Sequence, residues 1–246
     1  MTAMQDTLGI IGGSGLTRLN AMTIERREVV PTPYGEPSAP LAFGRLDDIP
    51  VVFVPRHGSQ HSIPPHRVNY RANIWALHQA GVKTVIGIAA VGGITAPPGS
   101  LCIPDQLIDY TWGRAHTFFD GPPERVVHID FTEPYCAALR ERLIATAGRL
   151  DISILPTGVY GATQGPRLET AQEIARMGGD GCDLVGMTGM PEAALAKEME
   201  LCYACCAAVV NWAAGKGDGP ITMQEIETNL GTVMTQVRTL LGGLQG

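Results

Sequence analysis

No stretch of this 246-residue chain stays apolar long enough to span a membrane as a helix; Gly, Pro or a charge interrupts each run well before the roughly 20 residues required. Positive charge is not in excess either. The formal net charge is −6 and Lys and Arg are nowhere concentrated, which argues against nucleic-acid binding and points to a small-molecule partner. The opening MTAMQDTLGI lacks the basic and apolar segments of a secretory signal, so a cytoplasmic setting is expected. Internal repeats, low-complexity linkers and charge blocks are missing as well, and one domain over residues 1–246 is expected. Cys202, Cys205 and Cys206 have no second Cys or His pair beside them, which leaves little case for zinc. The six cysteines mostly sit among apolar residues and are expected to be free, buried thiols in a reducing compartment, with no metal bound.

What is present is a succession of apolar runs: LGII at 8–11, VVFVP at 51–55, TVIGIAA at 84–90, LCIPDQLID at 101–109, DLVGM at 183–187 and CCAAVV at 205–210. Helical patterns lie between several of them. The segment 68–81 brings Ile74, Trp75 and Leu77 near one face, and 133–150 spaces Leu139, Leu143 and Ala147 by four, with Pro134 in its first turn. Residues 169–179, 190–201 and 221–244 follow the same logic, and Thr222 with Glu225 has capping-box spacing. Alternating strands and helices predict an α/β domain with a central sheet at least partly parallel. Ligands in such sheets bind at the C-terminal ends of the strands, so polar residues just past the apolar runs carry the functional information.

The first run ends in IIGGSGL. Its glycines let the backbone turn tightly and approach an anion, and Ser14 adds a hydroxyl. The pattern matches neither GxGxxG nor a Walker motif, and alone it fits an ordinary strand-to-loop turn equally well. After the second run, Arg56 offers a planar fork suited to phosphate and His57 a second donor. Thr188 follows DLVGM. Together these side chains would make an anion cradle that needs no metal. Glu169, in GPRLETAQE, could be a helix-capping carboxylate or could accept a ring N–H. Asn211, where CCAAVV gives way to Trp212 and a Gly-Lys break, presents both a donor and an acceptor. Glu with Asn is a chemically sensible pair for reading a lactam.

In order, IIGGSGL, RHGSQHSIPPHRVNYRANIWAL, GPRLETAQE, DLVGMTGMPEAALAKE and the break after CCAAVV resemble the trimeric branch of the purine nucleoside phosphorylase superfamily, and especially its methylthioadenosine phosphorylases. The resemblance covers most of the chain. It implies a single domain with a mixed central sheet flanked by helices, a homotrimer with its active site near the subunit interface, phosphate as cosubstrate and no cofactor. Residue by residue, it implies phosphate binding by Ser14, Arg56, His57, Thr188 and the backbone at Ala89 and Ala90; many methylthioadenosine phosphorylases have Thr where Ala89 stands. Met187 matches the methionine under the ribose, Met223 the residue near the 5′ substituent, and His61 a contribution from the neighbouring subunit. Met223 is equally readable as a core methionine of its helix.

Asn211, Trp212 and Ala213 occupy the positions where methylthioadenosine phosphorylases typically have Asp-Tyr-Asp, and Glu169 stands where they have Ser. The 6-oxopurine-specific phosphorylases instead have Glu and Asn at positions 169 and 211. Glu169 can accept from hypoxanthine N1–H while the Asn211 amide donates to O6 or N7; adenine reverses both edges. The expected activity is phosphorolysis of S-methyl-5′-thioinosine, with Asn211 and His57 as the catalytic residues. The alternatives are a general inosine/guanosine phosphorylase, a methylthioadenosine phosphorylase or, outside this class, a non-catalytic nucleotide-binding protein.

Overall fold

The computed structural model describes residues 7–16, 22–121 and 126–245. In chain order the elements are β1 (Leu8–Gly12), β2 (Met22–Glu28), β3 (Leu41–Leu46), β4 (Ile49–Pro55), α1 (Tyr70–Gln79), β5 (Thr84–Gly93), β6 (Leu101–Cys102), β7 (Gln106–Asp109), α2 (Ala137–Arg149), β8 (Ile154–Leu155), β9 (Val159–Ala162), α3 (Ala171–Gly179), β10 (Leu184–Gly186), α4 (Gly189–Glu198), β11 (Cys202–Trp212) and α5 (Met223–Gly242). The strands join in one 11-stranded mixed sheet with a main order of β2-β3-β4-β1-β5-β10-β9-β7. β11 runs parallel to β5, and β6 and β8 extend the sheet beyond it.

Both faces of the sheet are covered, which explains why its central strands are continuously apolar instead of alternating. Val85, Ala89 and Val91 of β5 and Tyr203, Cys205 and Ala207 of β11 pack in a core with Ile74 and Leu77 of α1 and Leu195 of α4. The intervening Ile86, Ile88, Ala204 and Cys206 pack on the opposite face with Leu139 and Leu143 of α2 and Val233, Val237 and Leu240 of α5. Each fully buried aliphatic side chain of this kind stabilises the fold by about 1.5–3 kcal/mol. α3 closes a smaller cluster through Ile174 and Met177 against Ile94, Val185 and Ala213.

Some local expectations are corrected. The run 101–109 is two strands, because Pro104 cannot donate to a ladder and the chain passes from a partner of β11 to a partner of β9. The helix expected from 133 starts at Ala137, so Pro134 precedes it. Its N-cap residue, Cys136, is disulfide-bonded to Cys202, which overturns the expectation of six free thiols; the pair is 66 residues apart in sequence and brought together by packing of α2 beside β11. Cys102, Cys182, Cys205 and Cys206 are free and buried. No helix among the described residues is long and apolar enough to cross a membrane.

Candidate active site

β11 lies along one edge of β5 from Thr84 to Gly93, with a register shift between Val209 and Asn211. The other edge changes partner: β1 pairs with Thr84 to Gly87, and β10 pairs only with Gly92 and Gly93. Between those two strands no described residue pairs with β5 on that edge, and a cavity of about 530 Å³ opens there. Ala89 and Ala90 line it, and Arg56 closes its base by donating from Nη1 to the Ile88 carbonyl at 2.8 Å. Gly13 is required beside this contact, because a Cβ would lie 2.4 Å from the Ile88 oxygen and 3.0 Å from Arg56 Nη1.

The cavity gathers residues from distant parts of the chain. Ser14, Arg56, His57, His61, Ala89, Ala90, Glu169, Met187, Thr188, Asn211 and Ala213 all line it. Arg56 is 1% exposed and is held by Glu192, equally buried: Nε and Nη2 each donate to a separate carboxylate oxygen at 2.6 Å. Tyr203 adds a hydroxyl bond to Glu192 at 2.8 Å. Burial alone would lower the Arg56 guanidinium, but the Glu192 carboxylate reverses that and holds it above its ordinary value. Of the five N–H groups, three are engaged in these bonds, leaving one on each Nη for an anion.

His57 sits beside this cation. Burial first, then the Arg56 charge, lowers it from 6.5 to about 4, so it is neutral at pH 7. Its Nδ1 lies 2.8 Å from the Ile63 carbonyl, which can only accept; Nδ1 therefore carries the proton and Nε2 presents a lone pair. In this tautomer Nε2 of His57 is an acceptor, not the donor read from its residue type. His61, with a left-handed φ of 51°, places Nε2 3.4 Å from Ser14 Oγ and its ring 4.8 Å from that of His57. It was expected from a neighbouring subunit; here it lines the cavity of its own chain. Thr188 is the N-cap residue of α4, but its side chain makes no cap bond and Met190 breaks the helical backbone two residues on; the Thr188 hydroxyl interacts with that of Tyr160 and lines the cavity.

Glu169 is not the helix cap. Thr170 caps α3 and Glu173 completes the capping box, with Arg167 on its carboxylate. Glu169 instead accepts from Thr163 Oγ1 at 2.7 Å through Oε1. Asn211 follows the bulge in β11 and ties one amide N–H to the Trp212 carbonyl at 2.7 Å, keeping a second N–H and its carbonyl oxygen for a ligand. Strand alternation turns Asn211 and Ala213 into the cavity and Trp212 away from it. Trp212 is thus outside the lining. So is Met223, which is 67% exposed in the first turn of α5, one turn beyond Ile226 and Leu230 on the same helical stripe. Those two residues, with Ile221, supply the apolar wall.

Residue type and spacing had not pointed to several of these groups. Glu192 has the sequence context of an ordinary first-turn acid. Ile221, Ile226 and Leu230 differ from other helix apolar residues only by their phase. Arg114 carries no local signal at all: buried, it donates to the carbonyls of Thr163, Gln164, Met187 and Met190 and so ties the Glu169 loop to the Met187 segment. Among the described residues no His, Cys, Asp and Glu group could hold a metal ion.

A model of the phosphorylase superfamily matches residues 7–244. The chain belongs to that superfamily. A probable S-methyl-5′-thioinosine phosphorylase from Pseudomonas syringae pv. tomato is 53% identical over 94% of this chain and 95% of its own. A 6-oxopurine nucleoside phosphorylase from Pyrococcus furiosus is 48% identical over 89% of this chain and 84% of its own. Among solved structures, this phosphorylase chain superposes on methylthioadenosine phosphorylase from Schistosoma mansoni in complex with adenine with a TM-score of 0.93, at 32% identity, covering 98% and 91% of the two chains. The fold is therefore the nucleoside phosphorylase α/β fold, as its motifs imply.

Proposed function

We propose that this protein is a pentosyltransferase that cleaves S-methyl-5′-thioinosine with inorganic phosphate, giving hypoxanthine and 5-methylthioribose 1-phosphate. The observation that carries this reading is the joining, in one cavity, of a Glu169–Asn211 pair and an apolar wall of Ile221, Ile226 and Leu230. With Thr163 on Oε1, Glu169 keeps Oε2 to accept hypoxanthine N1–H, and the remaining Asn211 N–H donates to O6 or N7. Adenine would set an N1 lone pair against the carboxylate, a mismatch that can discriminate by factors on the order of 10⁴. The apolar wall suits a methylthio group, and its three side chains offer a 5′-hydroxyl no hydrogen bond.

In the reaction, a phosphate oxygen attacks C1′ while the C1′–N9 bond breaks and its electron pair passes to the purine. Arg56 donates to the phosphate from its two remaining N–H groups, Ser14 and Thr188 add hydroxyls, and the neutral His57 accepts from the protonated phosphate oxygen through Nε2. These contacts hold the dianion in line and stabilise the oxocarbenium character at C1′. As charge grows on the purine, O6 and N7 become stronger acceptors, so the Asn211 bond strengthens toward the transition state. Met187 packs along the ribose.

Homotrimer formation in the cytoplasm belongs to the same proposal. Supporting association, Trp112, Val126 and Leu168 are exposed at 72%, 78% and 46%, and Leu168 also lines the cavity mouth. The test is a parallel assay of methylthioinosine, inosine and methylthioadenosine with phosphate. The highest kcat/KM should belong to methylthioinosine; preference for the adenosine compound refutes the base-site reading. The likeness to a 6-oxopurine nucleoside phosphorylase favours a second reading, inosine/guanosine cleavage, which equal rates with inosine would support.

A further inference from the structure

α5 touches three parts of the active site. Ile226 and Leu230 line the cavity. Leu230 and Met234 crowd the Ser14 loop so closely that a Cβ on Gly15 would lie 2.8 Å from Leu230 Cγ and 2.9 Å from Met234 Cγ. Between these contacts, Asn229 Nδ2 donates to the Val210 carbonyl at 2.8 Å. Val210 is the residue at which β11 slips register, Val209 pairing with Val91 and Asn211 with Gly92. A bulge redirects the side chain that follows it, and its backbone groups fall out of the ladder and need other partners. Asn229 supplies that partner one residue before Asn211.

Among the described residues, little else holds the start of α5. Met223, Gln224, Glu225, Glu227 and Thr228 are exposed, and full burial begins only at Val233. Ile226, Asn229 and Leu230, at three- and four-residue spacing, are the side chains by which these turns grip the domain. A ligand packed on Ile226 and Leu230 therefore seats the same helix face that secures the bulge.

We propose that Asn229 is a positioning residue that couples recognition of an apolar 5′ group to the orientation of Asn211. Asn229 lies outside the cavity lining and acts through the Val210 carbonyl. Binding energy gained at the 5′ end is thereby spent on the leaving-group contact, and appears in kcat rather than only in KM. This rests on the substrate reading above.

The test measures kcat and KM for methylthioinosine and inosine with Asn229→Ala and Asn229→Asp, the latter matched in shape but unable to donate to a carbonyl. Both variants should lower kcat for methylthioinosine about tenfold with little change in its KM, and lower inosine turnover much less. An equal fall for both substrates, an effect confined to KM, or wild-type behaviour of Asn229→Asp overturns the coupling. Ile226→Ala combined with Asn229→Ala supplies an independent measurement: the two effects on methylthioinosine kcat should be strongly non-additive, and additivity overturns the coupling too. A wild-type enzyme with no preference for methylthioinosine over inosine overturns the substrate reading instead, before any variant is compared.

Discussion

Replacing Glu192 with Gln tests what holds Arg56, the arginine proposed to bind phosphate. The native carboxylate takes two 2.6 Å bonds from Arg56 and one 2.8 Å bond from Tyr203, with both members of the ion pair 1% exposed. Gln preserves volume but removes the charge, and its amide nitrogen turns one Arg56 contact into donor facing donor. Breaking a buried pair on one side costs about 3–5 kcal/mol, because the surviving ion is left desolvated and uncompensated. In a domain of this size each kcal/mol moves the melting midpoint by about 2–4 °C, so the midpoint should fall by roughly 6–20 °C in phosphate-free buffer. Phosphate brings countercharge to the other edge of Arg56, so saturating phosphate should narrow the gap. Calorimetry of both proteins with and without phosphate measures this, and kcat should fall because the guanidinium is no longer held in line. A Glu192→Gln protein that melts within about 2 °C of wild type in phosphate-free buffer refutes the account.

Thr163→Val removes the hydroxyl from Glu169 while keeping the shape; kcat/KM for the oxopurine substrate should fall about tenfold and be restored in Thr163→Ser, as read in initial rates. His57 binds a proton at 6.5 when unfolded but only near 4 when folded, so its contribution to stability is complete above 6.5 and is lost as pH falls toward 4, by about 3 kcal/mol at most. Melting curves across that window in phosphate-free buffer should lose this component in His57→Asn. Cys136→Ser opens the 66-residue loop closed by the disulfide and should cost about 4 kcal/mol in denaturant titrations without reductant, the difference disappearing when both proteins are reduced.

The polar residues that end apolar runs were legible because buried strands of a doubly covered sheet have a distinctive composition and their C-terminal ends converge. Ser14, Arg56, Thr188 and Asn211 each follow such a run, and the fold brings all four to the gap beside β5. The same signal misses residues that act through others. Glu192 and Arg114 have no periodicity that sets them apart, and their importance exists only once α4 and the 163–164 segment are packed around them. Met223 illustrates a limit of phase: helical spacing finds the stripe it shares with Ile226 and Leu230 but not how far along that stripe the cavity wall extends. β2 was invisible for the opposite reason, since an edge strand with six of seven residues exposed needs no apolar pattern. The Cys136–Cys202 pair likewise depends on tertiary packing that composition does not report.

The change of neighbour along one edge of β5 also bears on how activity is acquired during folding. β1, near the start of the chain, and β10, past residue 180, occupy different stretches of that edge, and the candidate active-site cavity is the interval between them. Neither boundary exists until contacts spanning most of the sequence have formed, and non-local pairings of this kind form slowly. Local helices can therefore appear in a chain that still has nowhere to bind phosphate. Refolding followed in parallel by far-ultraviolet circular dichroism and by phosphorolysis should show helix returning first and turnover last, making catalysis a reporter of the completed sheet.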